Sequence, residues 1–134
     1  MTTSPTKSLR APIGRARGLG SSHYGTEHWW HQCLSSVAII VLAVLFIPGF
    51  LTHVIYGDYH TAVAWLHNAP IASGILVLLL IAGCHHAAAG LQIILEDYVG
   101  IEPVMLTAVV FVKFLMFALA VVGTLSVVRV YLGM

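Results

Sequence analysis

The sequence predicts an all-α membrane protein of three transmembrane helices, with its N-terminus cytoplasmic and its C-terminus periplasmic. Three observations carry this reading. Of the 134 residues, 59% are apolar and only 8% charged, against roughly 25% charged in a soluble domain. That deficit leaves too little polar surface to face water, so lipid is the expected home of the apolar side chains. The apolar residues also fall into three runs, each long enough to cross about 30 Å of hydrocarbon at about 1.5 Å per helical residue. An isolated strand would leave its backbone groups unpaired in lipid, so the spans are helices.

Residues 1–28 are polar, basic and rich in Gly and Ser, and are expected to form an extended cytoplasmic segment. No apolar h-region follows Lys7, Arg10, Arg15 and Arg17, which argues against a signal peptide. A transit peptide is the runner-up, because the tail is basic and carries Ser and Thr. Residues 29–134 form the transmembrane domain. Its first span, at about 31–52, contains the run LSSVAIIVLAVLFIPGFL, and Pro48 and Gly49 are expected to kink or end it. Residues 53–69 are read as a connection holding His53, Asp58, His60 and His67. The second span, at about 70–96, starts with Asn68 just before Pro70 in its first turn. After the short segment EDYVGIEP, Pro103 opens the third span, to about residue 131. No internal repeat is present.

Orientation follows from the basic residues. Four lie in the N-terminal tail, whereas 53–69 and 96–103 contain none. The positive-inside rule therefore puts the tail and 96–103 on the cytoplasmic side. Tyr24, Trp29 and Trp30 then sit at the inner interface, and Tyr56, Tyr59 and Trp65 at the outer one.

Polar groups within the apolar runs are the candidates for chemistry. Of eight histidines, only His85 and His86 lie inside a run. His86 is ten residues before Glu96, about 15 Å inside the inner boundary. A polar side chain at that depth is costly unless satisfied. Two readings stay open for it: axial ligation of haem iron through a neutral ring nitrogen, or a hydrogen bond to a neighbouring helix. Neighbouring residues point about 100° apart on a helix, so His85 and His86 do not share one iron. Ala87, Ala88, Ala89 and Gly90 would let a flat macrocycle or another helix approach closely. The other two apolar runs contain no histidine, so a second ligand would have to come from another chain. At the inner end of the second span, Tyr98 can donate to a carbonyl, with Asp97 beside it to orient it or relay protons. The alternative there is an interfacial aromatic with a solvated acidic turn. Lys113 is ten residues past Pro103, so a polar cavity or an anionic partner, a haem propionate or a carboxylate such as Asp97, is expected around it. Cys33 and Cys84 form no metal-binding pattern and are read as ordinary reduced thiols.

The run from His86 through Gly90 to Asp97, Tyr98 and Val99 resembles the H-x3-G … D-Y-V signature of the D-type membrane-anchor subunits of succinate dehydrogenase, respiratory complex II. The preceding RARGLGSSHYGTEHWWHQ is similar to the segment before the first helix in alphaproteobacterial and mitochondrial-type members. The resemblance implies a bacterial inner-membrane subunit. With a second anchor subunit, a cytochrome b, it would hold a flavoprotein and an iron–sulfur protein on the membrane. It further implies a b-type haem shared by the two anchors, with His86 as this chain's ligand. A quinone would be hydrogen-bonded by Tyr98 with help from Asp97. Electrons from succinate would reach that quinone in the tricarboxylic acid cycle and respiratory chain. One position departs from the pattern: Cys33 follows HWWHQ where relatives commonly carry arginine, which leaves His28, His31 or Lys113 as candidate cations. Succinate oxidation itself is not expected in this chain, which lacks a nucleotide fingerprint and an iron–sulfur cysteine cluster. Nucleic acid is not among the expected partners. An independent small b-type cytochrome and a purely structural subunit without haem remain the alternatives.

Overall fold

The computed structural model describes the backbone of residues 25–134 and the side chains from Trp29 onward. The tail cations Lys7, Arg10, Arg15 and Arg17, the predicted interfacial Tyr24, and the side chain of His28 lie outside the described residues. Every regular element among the described residues is helical: α1 (Gly25–Phe50), continued by a π turn (Leu51–Ile55), then α2 (Tyr59–Asn68), α3 (Pro70–Tyr98) and α4 (Glu102–Tyr131). Three helical stretches, Trp29–Ile55, Pro70–Tyr98 and Glu102–Tyr131, are long and apolar enough to cross a membrane, as the run lengths predict.

The boundaries differ from the sequence expectation in three informative ways. The first helix starts at Gly25, well before 31, and passes through Pro48 instead of ending there. Pro48 has no N–H to give to the preceding turn, and the chain adapts just after it. The ladder widens into the π turn, closed by Tyr56 N–H to the Leu51 carbonyl at 3.0 Å. Side chains serve the carbonyls around the proline: the Thr52 hydroxyl is 3.0 Å from the Pro48 oxygen, and His53 Nδ1 is 2.9 Å from the Gly49 oxygen. His53 therefore belongs to the end of the first span and not to a connection.

The second difference is α2, a ten-residue helix inside the predicted connection. Asp58 starts it as an N-cap, its carboxylate accepting from the Thr61 N–H at 2.7 Å and the Thr61 hydroxyl at 2.6 Å. The half-buried stripe Ala62, Val63, Trp65 and Leu66 turns inward. Trp65 stacks on His53 with ring centroids 4.9 Å apart and also packs on Phe46.

Third, Asn68 does not start α3. Its amide donates to the Ala64 carbonyl within α2. Ala69 occupies the N-cap of α3 without a side-chain bond, and Pro70 stands in the first turn. At the far end of α4, Gly133 adopts φ 71°, and the last carbonyls are met by the Gly133 and Met134 N–H groups and by His67 Nδ1, 2.9 Å from the Tyr131 oxygen.

α3 is the central helix. It packs against α1 on one side and α4 on the other, while among the described residues α1 and α4 make no close backbone approach to each other. This open row encloses almost no core: among the described residues only Ser73, Val109 and Val127 are buried. Ser73 is satisfied by donating to the Leu66 carbonyl at 2.6 Å. Large apolar side chains such as Leu34, Val37, Val41 and Val44 stay exposed along α1. A fold so poor in its own interior relies on lipid or on other chains to cover it.

Candidate functional site

The two adjacent histidines of α3 face different surroundings. His86 is half-buried and turned toward α1, where Gln32 and Ser35 stand one helical turn apart on the facing stripe. Ser35 Oγ lies 2.9 Å from His86 Nδ1, and the Gln32 amide nitrogen lies 3.3 Å from His86 Nε2. Ser35 also donates to the Gln32 backbone carbonyl at 2.9 Å, as does Ser36. Gln32 Oε1 is buried without a partner. Gly90, one turn beyond His86, keeps the helices close: a Cβ there would sit 3.4 Å from the Gln32 amide nitrogen.

His85 instead opens into a trough of about 500 Å³ that runs across the face of α3, flanked by α1 and α4. His31, Gln92 and Lys113 supply its other polar groups. Lys113 thus lines a trough whose wall is mostly apolar, and no carboxylate lines it. Asp97, one of the anions expected near Lys113, is elsewhere. Glu96 is linked to the trough indirectly, accepting from the Gln92 amide at 2.6 Å.

Asp97 and Tyr98 lie at the end of α3, both exposed, with Tyr98 at 85%. They stand 11 and 12 residues beyond His86, about 17 Å of helical rise. The chain alone thus gathers no single pocket around His86, Asp97 and Tyr98. It presents an oriented imidazole at mid-helix and a free phenol with a carboxylate at the helix end.

These residues can offer a metal a single ligand. Among the described residues no three His, Cys, Asp or Glu side chains come together as a metal-binding group. An iron already held by four macrocycle nitrogens asks only for axial ligands, and His86 suits that role. Its Nδ1 has a hydrogen-bond partner, while Nε2 faces only a long amide contact. The unpartnered Gln32 Oε1 gives that amide a reason to turn elsewhere. Sequence reasoning missed Gln32, Ser35 and Gln92. A signal for the serines was available, since Ser35 and Ser36 interrupt an otherwise apolar run.

The sequence matches the family model "Succinate dehydrogenase/Fumarate reductase transmembrane subunit" over residues 7–126. Among curated proteins it is similar to the "Succinate dehydrogenase hydrophobic membrane anchor subunit" of Rickettsia bellii, 30% identical over 108 residues, covering 81% of this chain and 85% of the relative. The protein of the same name from Paracoccus denitrificans is 34% identical over 87 residues, covering 65% and 66%. That of Rickettsia conorii is 23% identical over 125 residues, covering 93% and 97%. No solved structure gives a significant match.

Proposed function

The chain belongs to the succinate dehydrogenase/fumarate reductase transmembrane subunit family, and from that premise we propose that it is the D-type hydrophobic anchor of a succinate dehydrogenase. In this reading it lies in a bacterial inner membrane, with its N-terminus cytoplasmic and its C-terminus periplasmic. A second anchor subunit covers the exposed apolar face, and the flavoprotein and iron–sulfur subunits dock at the end carrying Tyr98. The Tyr98 phenol donates to a quinone carbonyl, and Asp97 holds or passes a proton beside it. The chain's part in succinate oxidation is to hold the complex together and to receive its electrons at the quinone site.

The observation that carries the haem assignment is the setting of His86, an imidazole at mid-helix with its Nδ1 engaged by Ser35. A b-type haem bound there would supply one-electron storage. The chain's own contribution is a fixed ring with a nitrogen lone pair directed out of the Ser35 contact, and small neighbours at Ala87 and Gly90 that leave room beside it. One specific observation favours a second reading, a purely structural anchor: both ring nitrogens already have partners within the chain.

The optical spectrum of the purified complex separates the two readings. His86→Ala should abolish or shift the low-spin haem spectrum, and His85→Ala should leave it intact. A complex without haem supports the structural anchor, and a reversed pair of mutant phenotypes overturns the assignment to His86.

A further inference from the structure

We propose that Ser35 is the positioning residue for His86, acting as the hydrogen-bond acceptor for Nδ1–H that holds the ring's orientation and tunes the electron donation of Nε2. This rests on His86 being the haem ligand. The Ser35 hydroxyl has one proton and two places to put it, the Gln32 carbonyl and His86 Nδ1, both at 2.9 Å. Whatever occupies the Nε2 lone pair, the Gln32 amide or an iron in its place, decides between them. Ligation uses the Nε2 lone pair, so the ring's remaining proton sits on Nδ1. Ser35 then accepts from Nδ1–H and sends its own proton to the Gln32 carbonyl, completing a chain in which each hydrogen has an acceptor. Ser36 donates to the same carbonyl at 2.9 Å but makes no hydrogen bond to His86.

The Gln32 side chain completes the picture on the other nitrogen. Its amide donates to the Nε2 lone pair at 3.3 Å, a long contact, and its Oε1 is left buried and unpartnered. This contact occupies the lone pair that ligation needs, so Gln32 withdraws when the iron binds. The Ser35 contact, in contrast, survives ligation. Of the two α1 groups that touch the ring, Ser35 alone continues to act on the ligated state.

An acceptor on Nδ1–H raises the basicity of a ligating imidazole. A more electron-donating ligand favours the oxidised iron, so loss of the acceptor should raise the haem midpoint potential. The test is redox titration and optical spectroscopy of the intact complex. Ser35→Ala should retain low-spin haem with its potential shifted upward, Ser35→Thr should restore the wild-type value by keeping a hydroxyl, and Ser36→Ala should leave it unchanged. An unshifted potential in Ser35→Ala, an equal shift in Ser36→Ala, or loss of haem in both Ser35 variants overturns the proposal. Failure of the underlying reading shows itself separately, as a low-spin spectrum unaffected by His86→Ala.

Discussion

Replacing Gly49 by alanine puts a methyl group where α1 meets the Trp65 indole. A Cβ at Gly49 would overlap Cζ2 of Trp65 and come within 3.0 Å of Cη2 and 3.1 Å of Cε2. The ring has little freedom to retreat, because it is stacked on His53 at 4.9 Å with planes only 8° apart and rests on Phe46 at 5.4 Å. Overpacking of this kind costs about 1–3 kcal/mol, and a lost aromatic stack about 0.5–1.5 kcal/mol more. The helix propensity gained by alanine over glycine returns only about 0.5–1 kcal/mol. The net is about 0.5–4 kcal/mol against the docked state of α2, a roughly 2- to 700-fold change in its opening equilibrium. Hydrogen exchange on the complex in lipid nanodiscs should then show faster exchange across Tyr59–Asn68, with α3 and α4 unaffected. Gly83→Ala is the control, since a Cβ there meets nothing within 4 Å. Unchanged protection of α2 in Gly49→Ala would refute the claim that Trp65 is pinned against the first helix.

Tyr98→Phe removes one donor, worth about 1–2 kcal/mol when the bond to a carbonyl is buried. Quinone reduction should fall roughly 5- to 30-fold while succinate oxidation by a soluble dye persists; equal loss of both points to faulty assembly. Lys113→Met keeps bulk and removes the cation from the trough, and should lower the haem midpoint potential by depriving a propionate of its counter-charge. An unchanged potential together with unchanged quinone kinetics assigns Lys113 to water in the trough. The Asp58 carboxyl is held below its usual 3.8 chiefly by the Thr61 hydroxyl, then by the Thr61 N–H. Its capping contribution is therefore complete above that value and is lost as pH falls through the depressed one. Asp58→Ala should speed exchange in the first turn of α2 at neutral pH, whereas the wild type should show no cap-dependent change across the neutral range.

The three spans were legible because run length and the absence of charge leave few alternatives in lipid. Their ends were less legible, for local reasons. Pro48 reads as a kink or an end, but the helix passes through it and runs on to Ile55 by way of a π turn, with side-chain bonds to the Pro48 and Gly49 carbonyls beside that turn. The segment 53–69 reads as polar because of its histidines, yet Asp58 followed three residues later by Thr61 was a capping signal within it. Asn68 carried the right chemistry for a cap and was placed on the wrong helix. At the candidate site, depth singled out His86, but its partners could not be read from the sequence. Gln32 and Ser35 lie 54 and 51 residues away, and only the packing of α1 on α3 brings them to the ring.

The position of α3 explains why neighbouring histidines have such different surroundings. A central helix in an open row has one face on α1, one on α4 and one on the trough between them. A step of about 100° per residue carries the side chain from one face to the next. His86 therefore meets the hydroxyl and amide of α1, and His85 meets the trough that also holds Lys113. The openness of the row has a second consequence. A closed three-helix bundle would bury its polar groups among its own helices and leave a lipid-facing exterior. Here α1 and α4 run apart, and the trough that holds His85 and Lys113 lies on a face that another chain can cover. The openness also separates two classes of substitution. Changes at Ser35 should alter the properties of an assembled complex, whereas polar replacements on the exposed α1 stripe of Leu34, Val37, Val41 and Val44 should act earlier, by weakening the assembly.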